Sequence, residues 1–474
     1  MYIHGEWLVK EKKVRVVNPA TGELVKEVNK GTKEDAVAAI ESAKKAFKTW
    51  SKSTALERSE VLERVAQKIL GRKEELAETI TTEMGKPYQN ALYEVESTAA
   101  YFKWFAEEAR RIYGEQIPSN HPNKRLMTIK QPIGVIAAIT PWNFPLQMLS
   151  RKLAPAIAAG CTCLIRPSNQ SPLSAIELVK ILEESGLPAG VANLVIGAAD
   201  EITDVWLESP DVKKITFTGS TEVGIELMKK SADTVKKVSM ELGGHAPFIV
   251  FEDADLDLAV EGAVNIKFNS TGQQCVCANR IYVHESIFNE FTEKYVAKVK
   301  ELTIGNGLDK ACRIGPLIND GAIKKVQQQV DDALAKGAEL LIGGQRATAE
   351  ELKNGYFYEP TILGNVDDSM LIVSEETFGP VAPILTFSTE EEVLQRANDT
   401  EFGLASYFYT NDLSRAHRMF EGLEYGIVGI NDAAPFAVQA PFGGWKTSGL
   451  GSEGGHGIDE YLEVKLGSFL YKAQ

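Results

Sequence analysis

Val135-Ile136-Ala137-Ala138-Ile139-Thr140-Pro141 is a short apolar run closed by a proline. A run of this length, bounded by a breaker, reads as a strand buried on both faces. Working outward, a second run at 163–165 stops at Pro167, a third lies at 192–196, and a fourth at 214–217. Helical spacing separates them at 175–182 and at about 220–231. Short buried strands alternating with helices predict a parallel sheet with crossover helices, an α/β fold.

The same rhythm restarts at Pro247. Strands are expected at 248–251, 340–342 and 381–387, with helices at 259–268, 287–302, 323–335 and 391–397. Upstream, residues 33 to about 113 are helical and residues 1–30 read as short strands joined by turns. The tail, 461–471, reads as a terminal strand. No linker or internal repeat interrupts the 474 residues, which at roughly 150 residues per unit predict about three structural units.

Charge and composition exclude several classes. Against 65 Asp and Glu stand 51 Lys and Arg, a net −14, which disfavours non-specific binding to nucleic acid or anionic lipid. Five cysteines are too few and too scattered for a disulfide framework, and six histidines without metal-ligand spacing argue against a metal site. No apolar run reaches the ~18 residues of a spanning helix. The first residues lack the charged-then-apolar pattern of a secretory leader, so a soluble, cytoplasmic protein is expected.

Three segments can carry chemistry. Asn269-Ser270-Thr271-Gly272-Gln273-Gln274-Cys275-Val276-Cys277 is a small, polar loop, expected between helical stretches, holding a thiol that is either a nucleophile or a small buried hydrophobe. Ser239-Met240-Glu241-Leu242-Gly243-Gly244 runs a strand into a Gly-Gly turn; Glu241 is either a general base facing a cleft or an exposed turn carboxylate. Phe217-Thr218-Gly219-Ser220-Thr221-Glu222-Val223-Gly224 is a strand–turn–helix whose free N–H groups suit a phosphate, although ordinary capping accounts for Ser220 equally well. Gly449-Leu450-Gly451-Ser452-Glu453-Gly454 spells Gly-x-Gly-x-x-Gly, but no strand clearly leads into it and no parallel unit follows, so it reads as a flexible loop.

Taken in order with Pro141-Trp142-Asn143-Phe144-Pro145, Glu375-Glu376-Thr377-Phe378-Gly379-Pro380 and Pro441-Phe442-Gly443-Gly444, these motifs resemble the aldehyde dehydrogenase superfamily from about residue 3 to 471. The 34-residue interval from Glu241 to Cys275 matches that family's spacing of base and nucleophile. The resemblance implies a Rossmann-like cofactor domain (1–115 and 135–243), an α/β catalytic domain (244–444) and a β-strand oligomerisation arm (116–134 and 445–474) that would make a homodimer or homotetramer.

It implies further that Cys275 attacks the aldehyde carbon, that Asn143 and the Cys275 N–H hold the oxyanion, and that Glu241 activates the hydrolytic water. Lys152 matches a lysine near the family's reaction centre, with a structural role left open. Thr140, Trp142, Gly219, Ser220, Glu376 and Phe378 would lie along the dinucleotide. Where NAD-preferring members carry Lys-Pro-Ser-Glu, this chain has Arg166-Pro167-Ser168-Asn169. Loss of that carboxylate favours NADP, with NAD still usable, because Arg166 can pair with a 2′-phosphate; alternatively Arg166 merely replaces the lysine at a ribose contact.

Within the superfamily, Cys275–Arg280 and Tyr461–Lys465 resemble the succinate-semialdehyde branch, and Arg151 stands where that branch places an arginine for the substrate carboxylate. Its second arginine is Asn269 here and its serine is Phe436, while Gly444-Trp445 and His456-Gly457 resemble the lactaldehyde/glycolaldehyde branch. A short anionic or hydroxylated aldehyde (succinate semialdehyde, lactaldehyde, glycolaldehyde or sulfolactaldehyde) is therefore expected, with His456 as a pocket donor. A CoA-acylating relative, a thiol hydrolase and a non-catalytic binding protein on the same fold are the alternatives, and Glu241 favours hydrolysis over acylation of CoA.

Overall fold

The computed structural model describes residues 1–472. Its first sheet has five parallel strands in the order Ala192–Leu194, Thr162–Arg166, Val135–Ile139, Val212–Thr218, Lys237–Glu241. The Val135–Ile139 strand is buried at every position because the helices Lys33–Trp50 and Gln147–Ala159 both pack against it. Each such Val or Ile contributes about 1.5–3 kcal/mol of transfer free energy. Strand order reverses direction between Val135–Ile139 and Val212–Thr218, and the crevice at such a switch point is where open α/β sheets bind ligands.

The second sheet runs Glu339–Ile342, Thr361–Gly364, Val381–Phe387, Ala278–His284, Ala246–Val250, Ala405–Tyr409, Ile427–Ile430. It is parallel except for its first strand. Sequence reading missed the central strand, Ala278–His284, since Asn279 and Arg280 break its apolar run. Both are buried: Arg280 donates to the carbonyls of His245, Arg396 and Ala397 and to the Tyr425 hydroxyl, while Asn279 accepts through Oδ1 from Lys267 Nζ at 3.0 Å and leaves its Nδ2 without a partner. The Cys275 loop therefore lies between the Leu256–Phe268 helix and a strand, not between two helices.

A third, antiparallel sheet joins Leu462–Leu470 to Lys124–Pro132 over nine paired positions, with Gln116–Ile117 at its edge. The Gly-rich 449–454 segment corrects the expectation of a flexible loop. Gly449–Leu450 pairs antiparallel with Met240 and Glu241, and Glu453 exchanges both backbone hydrogen bonds with Phe442. No parallel unit follows it, as expected. Among the described residues, no helix is long and apolar enough to cross a membrane.

Candidate active site

A cavity of about 760 Å³ opens between the two main sheets, and Cys275 lies in its wall. The loop bearing Cys275 is tightly specified. Ser270 and Thr271 have positive φ (50° and 60°), and Gly272 follows at 73°, where a side chain would collide with the Gly379 carbonyl. Thr271 Oγ1 bonds both the N–H and the carbonyl of Gly315, and Gln273 brackets Pro316 O and Ile318 N. Gly244 lets this loop settle on the Glu241 turn, since a Cβ there would strike the Cys275 carbonyl.

Half-buried Cys275 has its thiol pushed up to about 12, chiefly by loss of water and then by the charges of Glu241 and Glu376, with Arg151 opposing. At neutral pH the sulfur is therefore a thiol, which would have to give up its proton to act as a nucleophile. Asn143, in the middle of the Pro141–Pro145 turn region, is 6% exposed and donates from Nδ2 to Gln273 O at 3.1 Å. The second proton of the same amide remains free beside the Cys275 loop, where it could donate to an oxygen that gains charge.

Glu241 ends its strand paired to Thr218 on one side and Gly449 on the other. It does not line the cavity. Its carboxylate is buried with Oε2 unpartnered, and burial, reinforced by the charge of Glu453, holds it well above the usual carboxyl range. Lys152 is also outside the cavity, fully buried and paired with Glu453 Oε1 at 2.5 Å. Glu453 went unnoticed in the sequence because it sits in a glycine-rich stretch 301 residues from its partner.

Arg151, one residue before Lys152 on the Gln147–Ala159 helix, reaches the cavity. Its guanidinium carbon lies 3.9 Å from the Phe442 ring centroid and 5.2 Å from that of Tyr101, and Nη1 is 3.8 Å from Glu453 Oε2. Its Nε and Nη1 are buried without a hydrogen-bond partner. Asn269 and Phe436 line the same cavity, Phe436 lying 6.1 Å from Phe442. His456 does not: its side chain is 91% exposed, 4.0 Å from Glu108, on a separate surface depression. The Gly454–Gly455 turn, with φ of 67° and 46°, precedes it, and the expectation of a pocket donor is corrected.

Toward the first sheet the cavity is lined by Trp142, Gly219, Ser220, Glu376 and Phe378. Phe378, at a φ of 55°, meets Trp142 edge-on at 5.6 Å. Ser220 caps the Thr221–Ala232 helix, and Gly219 is required because a Cβ would enter the Phe217 ring. Glu376 Oε1 accepts from Gly244 N–H at 3.0 Å, and burial pushes its carboxyl up to about 7. Lys325, also in the wall, escaped sequence reading because an exposed lysine on an amphipathic helix carries no signal.

Thr140, Arg166, Ser168 and Asn169 stand outside the cavity wall, at the ends of the neighbouring strands. Ser168 Oγ accepts from Gln170 N–H, and Arg166 Nη2 donates to Gly197 O at 3.3 Å. Thr140 Oγ1, Arg166 Nε, Asn169 Oδ1 and Thr218 Oγ1 are buried and unpartnered along this edge. Four such atoms at the ends of parallel strands fit the hydroxyls and phosphates of a dinucleotide. Among the described residues, no group of His, Cys, Asp and Glu is arranged to hold a metal ion.

The family profile described as the Aldehyde dehydrogenase family matches residues 7–466. The chain belongs to that family. It is 51% identical to a glutarate-semialdehyde dehydrogenase of Pseudomonas putida, over 98% of this chain and 96% of the relative. It is 50% identical to a 3-sulfolactaldehyde dehydrogenase of Pseudomonas putida, over 98% and 95%. To the NADP(+) succinate-semialdehyde dehydrogenase of Escherichia coli it is 49% identical, over 98% and 96%. Among solved structures, an E. coli NADP-dependent enzyme superposes on this family member with a TM-score of 0.97 at 48% identity, over 99% and 98% of the two chains. Betaine aldehyde dehydrogenase from Staphylococcus aureus in complex with NAD+ does so at 0.96 and 40%, over 98% and 94%. The aldehyde dehydrogenase fold expected from the sequence is the fold of this chain.

Proposed function

We propose that this enzyme oxidises a short aldehyde carrying an anionic or hydroxylated far end to the carboxylic acid, with NADP favoured and NAD usable. Arg151 carries the reading: a guanidinium in the cavity wall, flanked by two aromatic rings, whose buried Nε and Nη1 make no hydrogen bond although Glu453 Oε2 stands 3.8 Å from Nη1. Such a group favours an acid partner. Glutarate semialdehyde, succinate semialdehyde and 3-sulfolactaldehyde, for which the relatives are named, all carry one. Asn269 and Phe436, in place of further cationic and hydroxyl groups, favour a small substrate.

The Cys275 sulfur attacks the carbonyl carbon and gives a thiohemiacetal, whose oxygen is held by Asn143 and the Cys275 N–H. When bound, a nicotinamide dinucleotide supplies the acceptor for the hydride that leaves the substrate carbon. Trp142, Gly219, Ser220, Glu376 and Phe378 would lie along its nicotinamide half, and Thr140, Arg166, Ser168 and Asn169 would hold its adenosine half. Glu241 takes a proton from the water that attacks the resulting thioester, the C–S bond breaks, and Cys275 regains its proton. Lys152 balances the charge of Glu453 behind Glu241.

Residues 1–115 and 135–243 form the cofactor domain, 244–444 the catalytic domain, and 116–134 with 445–474 the arm. Exposed Val464, Leu466 and Leu470 on the arm support a homodimer or homotetramer, and five free cysteines suit the cytoplasm. A panel of succinate semialdehyde, lactaldehyde, glycolaldehyde and sulfolactaldehyde, beside a long neutral and an aromatic aldehyde, with NAD and NADP tests the reading. Preference for the acid-bearing members is expected; preference for long neutral or aromatic aldehydes overturns the role given to Arg151.

A further inference from the structure

Ser270, Thr271 and Gly272 form three successive left-handed residues directly before the Cys275 segment, the first two buried and not glycine. L-residues avoid this backbone, so it persists only where its surroundings enforce it. Thr271 and Gln273 anchor the loop to residues 315–318, as described above. Ser270 is anchored elsewhere: its N–H donates to Asn90 Oδ1 at 3.2 Å, on the Tyr88–Glu108 helix.

One turn along that helix, fully buried Glu94 accepts through Oε1 from the N–H groups of Leu146 (2.9 Å) and Gln147 (3.2 Å). These end the segment that carries Asn143 and begin the helix that carries Arg151. Glu94 Oε2 pairs with fully buried Lys86 Nζ at 2.6 Å, and that ammonium lies 3.4 Å from the Phe144 ring centroid. The next turns bring Ser97 Oγ to Gln147 Nε2 at 2.5 Å and the Tyr101 ring to Arg151. Positions 90, 94, 97 and 101 share one helix face. A single rigid element thus grips the nucleophile loop, the oxyanion segment and the substrate arginine.

We propose that Asn90 and Glu94 are positioning residues that hold the Cys275 loop in register with the Asn143 segment, so that sulfur and oxyanion donors converge on one carbonyl group. Neither takes part in bond making; each acts by accepting a backbone N–H. The inference rests on the reading of Cys275 and Asn143 given above. It predicts that acceptor capacity, rather than size or charge, is what matters at both positions.

The test uses the full chain with succinate semialdehyde and NADP. Asn90→Leu keeps bulk without an acceptor, and Asn90→Asp keeps the acceptor. Lys86→Met/Glu94→Leu and Lys86→Met/Glu94→Gln make the same contrast with the buried charges removed from both. Acceptor-less variants should lose about 10–100-fold in kcat, the cost of a misplaced reacting group, while KM for the aldehyde stays within about threefold. Each acceptor-keeping variant should recover most of the kcat that its acceptor-less partner loses, the two being compared at the same pH. The alkylation rate of Cys275 by iodoacetamide should follow kcat in each pair.

Equal kcat within each pair, whether near the parent or equally impaired, overturns the proposal. Should the Lys86/Glu94 variants fail to fold, the half-buried Asn90 pair decides alone. Turnover by Cys275→Ala would instead sink the underlying reading, so the two failures are distinguishable.

Discussion

Toward the first sheet, the cavity is walled by groups that the backbone itself delivers: strand ends at Thr218 and Gly219, the helix cap Ser220, and Glu376 clasped by the Gly244 N–H. Toward the second, it is walled by side chains from distant segments: Arg151, Asn269, Phe436 and Phe442, with Glu261 and Asp432 beside them. Groups fixed by strand ends cannot move without disturbing the sheet, whereas side chains on helices and loops exchange at little cost to the fold. The first region therefore suits a cofactor common to many relatives, and the second suits discrimination among aldehydes.

The sharpest way to break this contrast is at the reacting centre between the two regions. Asn143→Ala should lower kcat by about 10²–10³-fold for every aldehyde, the cost of removing one oxyanion donor, measured by steady-state kinetics. Cofactor binding, read by quenching of tryptophan fluorescence, should change little.

Arg151→Met confines the damage to the second region. It should cost about 10–100-fold in kcat/KM for succinate semialdehyde, the worth of a hydrogen bond to a charged group, and little for a neutral aldehyde of equal length. Equal losses for both would mean that Arg151 serves only to pack between Phe442 and Tyr101.

A smaller effect lies in the first region and depends on pH. Burial raises the Glu376 carboxyl to about 7. Ribose hydroxyls donate to the ionised form, which gains population as pH rises, so cofactor affinity should strengthen through neutrality and weaken below it. Calorimetric titration between pH 6 and 8, a range centred on that value, should show this trend, and Glu376→Gln should flatten it.

The same contrast governs what the sequence reveals. Val135–Ile139, Thr162–Arg166 and Val212–Thr218 were legible because apolar runs end in breakers at the points where the chain must turn toward the crevice. Cys275 and Asn143, which the structure brings into one cavity wall, stood out in the sequence because their motifs are contiguous, as did Glu241 behind that wall. Ala278–His284 was hidden by buried polar residues whose partners lie as far off as Ala397. Glu453 was hidden because burial beside Lys152 and Arg151 is a tertiary fact that its glycine-rich neighbourhood does not show. His456 misled for the opposite reason: the likeness of His456-Gly457 to the lactaldehyde/glycolaldehyde branch did not bring its side chain to the pocket.

In the proposed mechanism, turnover rests on a covalent bond between Cys275 and the substrate, released by Glu241. Because the Glu241 carboxyl sits well above the usual range, the parent's thioester hydrolysis should quicken as pH rises and more of it ionises. Glu241→Gln, mixed rapidly with succinate semialdehyde and NADP, should form about one equivalent of NADPH per active site in a burst. It should then stall as an acyl-enzyme whose added mass maps to the peptide containing Cys275. Sustained turnover at the parent rate, or a burst with no mass added at Cys275, would contradict the account.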